Sequence, residues 1–169
     1  MGRDARNMKA LSRSGALAYV LALGVVVADQ LTKSWIVNGL RPAPGFPVAV
    51  WGPLRLTLVE NRGVSFGLFQ SDAAWAHWAL AAFELAVVIA LAFWVRRSDK
   101  WFTGLAIGLI MGGAIGNLID RARIGSVIDF VDVQALHFPW VFNVADSAIT
   151  IGIVLLMVES FLTPRPKPV

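Results

Sequence analysis

Asp129 and Asp146 stand in Val127-Ile128-Asp129-Phe130 and Phe142-Asn143-Val144-Ala145-Asp146-Ser147. Two carboxylates sharing a poorly hydrated site cannot both ionise easily; one pKa rises and the pair holds a proton between them. The ionised member can activate water while the protonated member polarises a carbonyl. That is the logic of an aspartic peptidase, and it needs no metal, serine or thiol. Each residue alone has a plainer reading: Asp146, in the first turn of an apolar segment, as a helix cap, and Asp129 as a carboxylate on a surface loop.

Other polar residues fall at helical spacing. Asp29 and Lys33 are i, i+4 partners on one helical face. Charges inside a membrane are costly and usually paired, so the two are functional candidates by default, with a structural ion pair or headgroup anchor as the alternative. Asn117 and Arg121 are again four apart, in Asn117-Leu118-Ile119-Asp120-Arg121, and read alone as a helix end anchoring in headgroups. Glu84 lies near the middle of an apolar stretch and reads as a buried, hydrogen-bonded carboxyl rather than a proton relay.

Competing chemistry is thin. The chain has no cysteine, so a thiol nucleophile, a thiolate metal site and disulfides are excluded. His77 and His137 are the only histidines and do not fit a metal-ligand spacing. Ser65, Ser126 and Ser147 lack an evident base partner. No metal or cofactor is expected. Gly104, Gly108, Gly112 and Gly116 recur every four residues, with Gly113 beside them. Small residues at this spacing let helix backbones approach. A phosphate loop is ruled out, since neither a preceding strand nor a following Gly-Lys-Ser/Thr is present.

The elements that must position these residues follow from composition. Of 169 residues, 57% are hydrophobic and 15% charged, and mean hydropathy is +0.66. A soluble domain carries about 25% charged residues, so a membrane protein forming a single unit over 1–169 is expected. Four stretches approach the roughly 20 apolar residues that a bilayer core requires: Gly15–Val37, Ala73–Val95, Trp101–Ile119 and Val144–Leu162. The first has some features of a cleavable signal peptide, but three later spans favour an uncleaved first helix. Gly39–Asp72 and Asp120–Asn143 become outer loops. In the former, Leu54, Leu56 and Leu58 alternate with Arg55, Thr57 and Val59. After Val48–Trp51 and Gly52-Pro53, this alternation predicts a hairpin in a small outer sheet. The tail Pro164–Val169 is expected to be disordered. Most tryptophans fall near predicted interfaces, where indoles are favoured.

Nine lysines and arginines precede the first span, join the second to the third or follow the fourth; six lie on the other side. By the positive-inside rule both termini are cytoplasmic. The net charge of +4 and pI near 10.1 thus reflect topology, not nucleic-acid binding.

Five elements in order resemble the lipoprotein signal peptidases (signal peptidase II): Asp29-Gln30-x-x-Lys33, Asn61-Arg62-Gly63-Val64-Ser65-Phe66, Gly112-Gly113-x-x-Gly116-Asn117-x-x-Asp120-Arg121, Val127-x-Asp129-Phe130 and Phe142-Asn143-x-Ala145-Asp146. They extend over most of the chain. Val64 replaces the family's usual alanine, and Glu60 stands where an aromatic often precedes the asparagine. The resemblance implies a bacterial inner-membrane aspartyl endopeptidase that cuts prolipoproteins before a diacylglyceryl-modified cysteine. It implies an all-α membrane fold of four transmembrane helices with a small periplasmic β-sheet and a short interfacial helix. Asp129 and Asp146 would be the catalytic dyad. Asn61, Gly63, Asn117, Arg121 and Asn143 would line the site, with donors such as Asn143 stabilising an oxyanion. Asp29 and Lys33 would support the first helix and the loop above. The implied partners are lipid-modified prolipoprotein, membrane lipids and inhibitory globomycin-type cyclic peptides. A small proton-coupled transporter using Asp29, Glu84 and Asp146 is the alternative; a non-catalytic scaffold built on the glycine-rich helix is a third.

Overall fold

The computed structural model describes residues 12–42, 47–63 and 75–162. Val64, Ser65 and Phe66 of the first-loop motif and the Pro164–Val169 tail lie outside the described residues.

Four helices are long and apolar enough to cross a membrane. Helix α1 (Arg13–Ser34) continues as a π-helical segment, Trp35–Leu40. It starts earlier than the hydropathy suggests because the Ser12 hydroxyl accepts from the Gly15 N–H at 3.0 Å. It ends where Arg41 turns left-handed, at φ 45°. Helices α2 (Ala76–Val95) and α4 (Val144–Leu162) match the expected second and fourth spans to within a few residues.

Helix α3 (Trp101–Ile124) corrects the sequence reading. Hydropathy ends the third span at Ile119 because Asp120 and Arg121 follow. The helix instead runs on to Ile124 and stops at Gly125, whose φ of 76° suits glycine and whose N–H reaches the Arg121 carbonyl. Both charges are buried in the helix against partners on other elements.

Helix α3 is central, with α1, α2 and α4 packed around it. The glycine row explains how. A Cβ at Gly104, Gly108 or Gly112 would meet the Ser14, Ala18 or Ala22 carbonyl of α1 at 2.5, 2.7 and 2.7 Å. One at Gly113 would strike the Ala145 carbonyl of α4. Close backbone approach, not ligand binding, therefore accounts for the spacing. Leucine, isoleucine, valine and phenylalanine side chains stay exposed on α1, α2 and α4, as lipid-facing surfaces require. All seven tryptophans are exposed, and Trp75, Trp78, Trp94 and Trp101 sit near span ends.

The expected hairpin is present as β1 (Val48–Trp51) and β2 (Leu54–Asn61), joined at Gly52-Pro53 with Gly52 at φ 53°. The stretch read as a second outer loop carries two further strands, β3 (Val127–Asp132) and β4 (Val141–Phe142), around a short helical turn, Gln134–Leu136. The result is a four-stranded antiparallel meander in the order β1-β2-β3-β4.

The ends of the bundle are distinct. At one, the Ser12 and Ser14 hydroxyls donate to the Ser98 and Lys100 carbonyls, both at 2.9 Å, and Lys100 pairs with Glu159 of α4. That end collects Arg13, Arg96, Arg97 and Lys100. The sheet and nearly all the remaining ionisable side chains of the spans lie at the other.

Candidate active site

Asp129 enters the site from β3 and Asp146 from the first turn of α4, and both are buried. Register decides the first. Asn61 faces Val127 across the sheet, so Asp129, two residues on, lies on the same face and diagonal to it. Helix capping decides the second. Asn143 caps α4 by accepting from the Asp146 N–H at 2.8 Å, which fixes where the Asp146 side chain begins.

Three asparagine amides bind the two carboxylates. Asn61 Nδ2 donates to Asp129 Oδ2 at 2.9 Å. Asn143 Nδ2 donates to Asp129 Oδ1 at 2.7 Å, and Asn117 Nδ2 donates to Asp146 Oδ1 at 3.0 Å. Their orientations follow from chemistry, because each carbonyl oxygen accepts from a group that can only donate. These donors are the Gly63 N–H for Asn61 (2.9 Å), the Lys33 ammonium for Asn117 (3.1 Å) and the Asp146 N–H for Asn143. The NH2 of each is thereby turned to a carboxylate. Asn143 Nδ2 also reaches Asn117 Oδ1 and the Ile128 carbonyl. The amide expected to stabilise an oxyanion is therefore engaged in holding Asp129.

Burial first, and then the neighbouring Asp146 charge, outweigh the lowering hydrogen bonds from Asn61 and Asn143 and leave the Asp129 carboxyl pushed up to about 7.

Behind Asn117 lies a buried charged hub. The three Lys33 ammonium donors are matched by Asp29 Oδ2 and Asp120 Oδ2, each at 2.8 Å, and by Asn117 Oδ1. Asp29 Oδ1 accepts from the Ala145 N–H of α4 at 3.0 Å, and Asp120 Oδ2 from the Ile128 N–H of β3 at 3.2 Å. Gln30 bridges Asp29, Asp120 and the Gly116 carbonyl. A Cβ at Gly116 would lie 2.6 Å from Asp29 Oδ2, so the glycine leaves room for the carboxylate. The i, i+4 pair seen in the sequence thus joins α1 to α3, β3 and α4.

Arg121 forms a second junction. One nitrogen pairs with Glu84 of α2 and the other donates to the Gly63 carbonyl at 2.6 Å. Gly63 is the last described residue before 64–74, so the guanidinium ties the end of β2 to two helices.

All nine expected site residues gather at one end of the bundle. Sequence reasoning left out Asp120 and Gln30 of the hub and the partnership of Glu84 with Arg121. Asp120 and Gln30 sit inside quoted motifs. Glu84 carried only its own signal, a charge within an apolar span.

Beside Asp146 an apolar cavity of about 300 Å³ is lined by Phe138, Phe142, Ser147, Thr150 and Ile151. Phe138 packs edge-on against Trp140 and Phe142.

Fold and site together define a multi-pass membrane protein with a buried, amide-bound carboxylate pair at one end of its bundle. The family model for Signal peptidase (SPase) II matches residues 21–162, and the chain belongs to that family. The lipoprotein signal peptidase of Caulobacter vibrioides is 48% identical over 158 residues, covering 93% of this chain and 94% of that protein. The lipoprotein signal peptidase of Methylorubrum extorquens is 43% identical, covering 92% and 89%. A bacterial membrane enzyme solved by the in meso method at 2.3 Å superposes with a TM-score of 0.76 at 28% identity, covering 91% of this chain and 94% of that one. Another, at 1.9 Å, gives 0.74 at 29% identity, covering 88% and 95%. The chain is thus a peptidase of signal peptidase II type. The transporter alternative has no support. Its supposed carboxylate path is also divided, with Asp29 held by Lys33 and Glu84 by Arg121.

Proposed function

We propose that the chain is an aspartic endopeptidase of the bacterial inner membrane, acting as one integral-membrane unit. It removes the signal peptide from diacylglyceryl-modified prolipoproteins by cutting before the lipidated cysteine. The observation that carries this reading is the pair of buried carboxylates, Asp129 and Asp146, each bound by asparagine NH2 groups whose orientations are fixed from behind.

Asp129 is the member that keeps the proton, because burial and the Asp146 charge both raise it. Asp146 accepts a proton from water as the oxygen attacks the carbonyl carbon before the cysteine, and Asp129 gives its proton to the carbonyl oxygen. Collapse of the tetrahedral species breaks the C–N bond. The proton on Asp146 passes to the leaving amine, and Asp129 recovers its own. The products are a signal peptide with a free carboxyl end and a lipoprotein with a free amine on its cysteine. Asn61, Asn117 and Asn143 hold the two carboxyls in place, while Lys33, Asp29 and Arg121 act through these amides and through Gly63. The apolar cavity beside Asp146 offers room for an apolar substrate group next to the scissile bond.

Both termini face the cytoplasm and the carboxylate pair faces the periplasm. The basic residues at the opposite end of the bundle support this orientation. Membrane lipids surround the spans, globomycin-type cyclic peptides inhibit, and nucleic acid is not a partner. The test is cleavage by the purified full chain of a precursor with and without its diacylglyceryl group, read by product mass. The lipidated form is expected to be cut at the bond before the cysteine. Cleavage elsewhere, or equal cleavage of the unmodified precursor, would contradict the assignment.

A further inference from the structure

The two faces of the sheet serve different spaces. Asn61 and Asp129 turn to the carboxylate pair. Their neighbours Glu60 and Ile128, opposite each other across β2 and β3, turn the other way, as strand alternation requires. On that reverse face a cavity of about 370 Å³ opens between the ends of α1 and α3 and the sheet. Buried Lys33 and Asp120 are in its wall, and exposed Glu60 and Arg123 are at its rim.

The charges at this cavity are unevenly committed. The Lys33 ammonium is consumed by Asp29, Asp120 and Asn117. Arg123 and Glu60, opposite in sign and lining one cavity, have no ion-pair partner among the described residues. A purely anionic ligand would meet Glu60, and a purely cationic one would meet Arg123. A ligand carrying both charges meets both. Val37 and Ile124, 37% and 55% exposed, supply apolar surface at the same cavity, and Trp35 is exposed on the π-helical segment that continues α1, towards the end of the first span, where indoles mark the interface. The volume is that of a small-molecule site.

We propose that this cavity takes the phosphate–ammonium headgroup of a membrane phospholipid, with phosphate on Arg123 and ammonium on Glu60. The acyl chains leave over Val37 and Ile124. The site draws its two opposite charges from Glu60 and Arg123. It does not depend on which residues cut the peptide.

Native mass spectrometry of the full chain in detergent tests this. The probes are phosphatidylethanolamine, phosphatidylglycerol with the same acyl chains, and soluble glycerophosphoethanolamine. Wild type is expected to hold phosphatidylethanolamine more tightly than phosphatidylglycerol, and the soluble headgroup only weakly. Arg123→Ala and Glu60→Gln, both at exposed positions, should each weaken phosphatidylethanolamine binding about fivefold. Glu60→Gln should also abolish the preference between the two lipids. Equal retention of both lipids by wild type, or unchanged binding in both variants, would overturn the proposal. Soluble glycerophosphoethanolamine binding as tightly as the lipid would assign the same headgroup chemistry to a free metabolite and overturn the membrane source.

Discussion

Asn61, Asn117 and Asn143 each give their carbonyl oxygen to a group that can only donate, and so each must turn its NH2 to Asp129 or Asp146. Hydrogen bonds of this kind favour the charged carboxylate, whereas burial favours the neutral acid. At Asp129 burial wins, taking the carboxyl from an ordinary value of 3.8 to about 7. Between those values the folded chain holds a proton that the unfolded chain has lost, so the Asp129 contribution to stability falls as pH rises through that window. Asp129→Asn lacks this titration. Its thermal midpoint in detergent should gain on wild type from about pH 4 to about pH 7 and run parallel above. A constant difference across the series would show that Asp129 is not raised. The two aspartates and three asparagines were legible as residues in the sequence. The direction of each amide was not, since it depends on donors from other elements.

At the scale of elements, α3 fixes the site through its small residues. Gly116 leaves space for an Asp29 carboxylate that is already held by Lys33, Gln30 and the Ala145 N–H. Gly116→Ala should therefore cost about 1–3 kcal/mol, as overpacking does, and should impair cleavage by displacing the hub. Gly24, where a Cβ would meet nothing within 4 Å, is the control. Gly24→Ala should be neutral or stabilising by up to about 1 kcal/mol. Equal thermal shifts for the two variants would contradict this account of the glycine row. The four spans and the first hairpin were readable from hydropathy and period-two alternation. The last turn of α3 and strands β3 and β4 were not. Asp120 and Arg121 look like the start of a loop until their partners, Lys33 and Glu84, are known. Strand β3 is buried almost throughout, so its run Val127–Asp132 shows no alternation of polar and apolar residues.

For the whole molecule, the separation of functions between the two ends matters most. Basic residues and the Ser12 and Ser14 hydroxyls bonded to the Ser98 and Lys100 carbonyls gather where α1 begins, and the carboxylates, amides and sheet gather at the opposite end. The cysteine-free sequence makes orientation directly measurable. In intact spheroplasts, a membrane-impermeant thiol reagent should label Ala49→Cys in the hairpin. Asp99→Cys, between α2 and α3, should be labelled only after lysis. The reverse pattern would place the carboxylate pair in the cytoplasm and exclude the proposed substrate geometry.

The central claim is that Asp129 and Asp146 together cut the peptide. The most direct measurement is cleavage of a diacylglyceryl-modified precursor by Asp129→Asn and Asp146→Asn, with thermal unfolding run alongside to establish that each variant is folded. The account predicts folded proteins with cleavage reduced by at least about a thousandfold, the scale on which loss of a catalytic acid or base falls. Near-wild-type cleavage by either folded variant would contradict it.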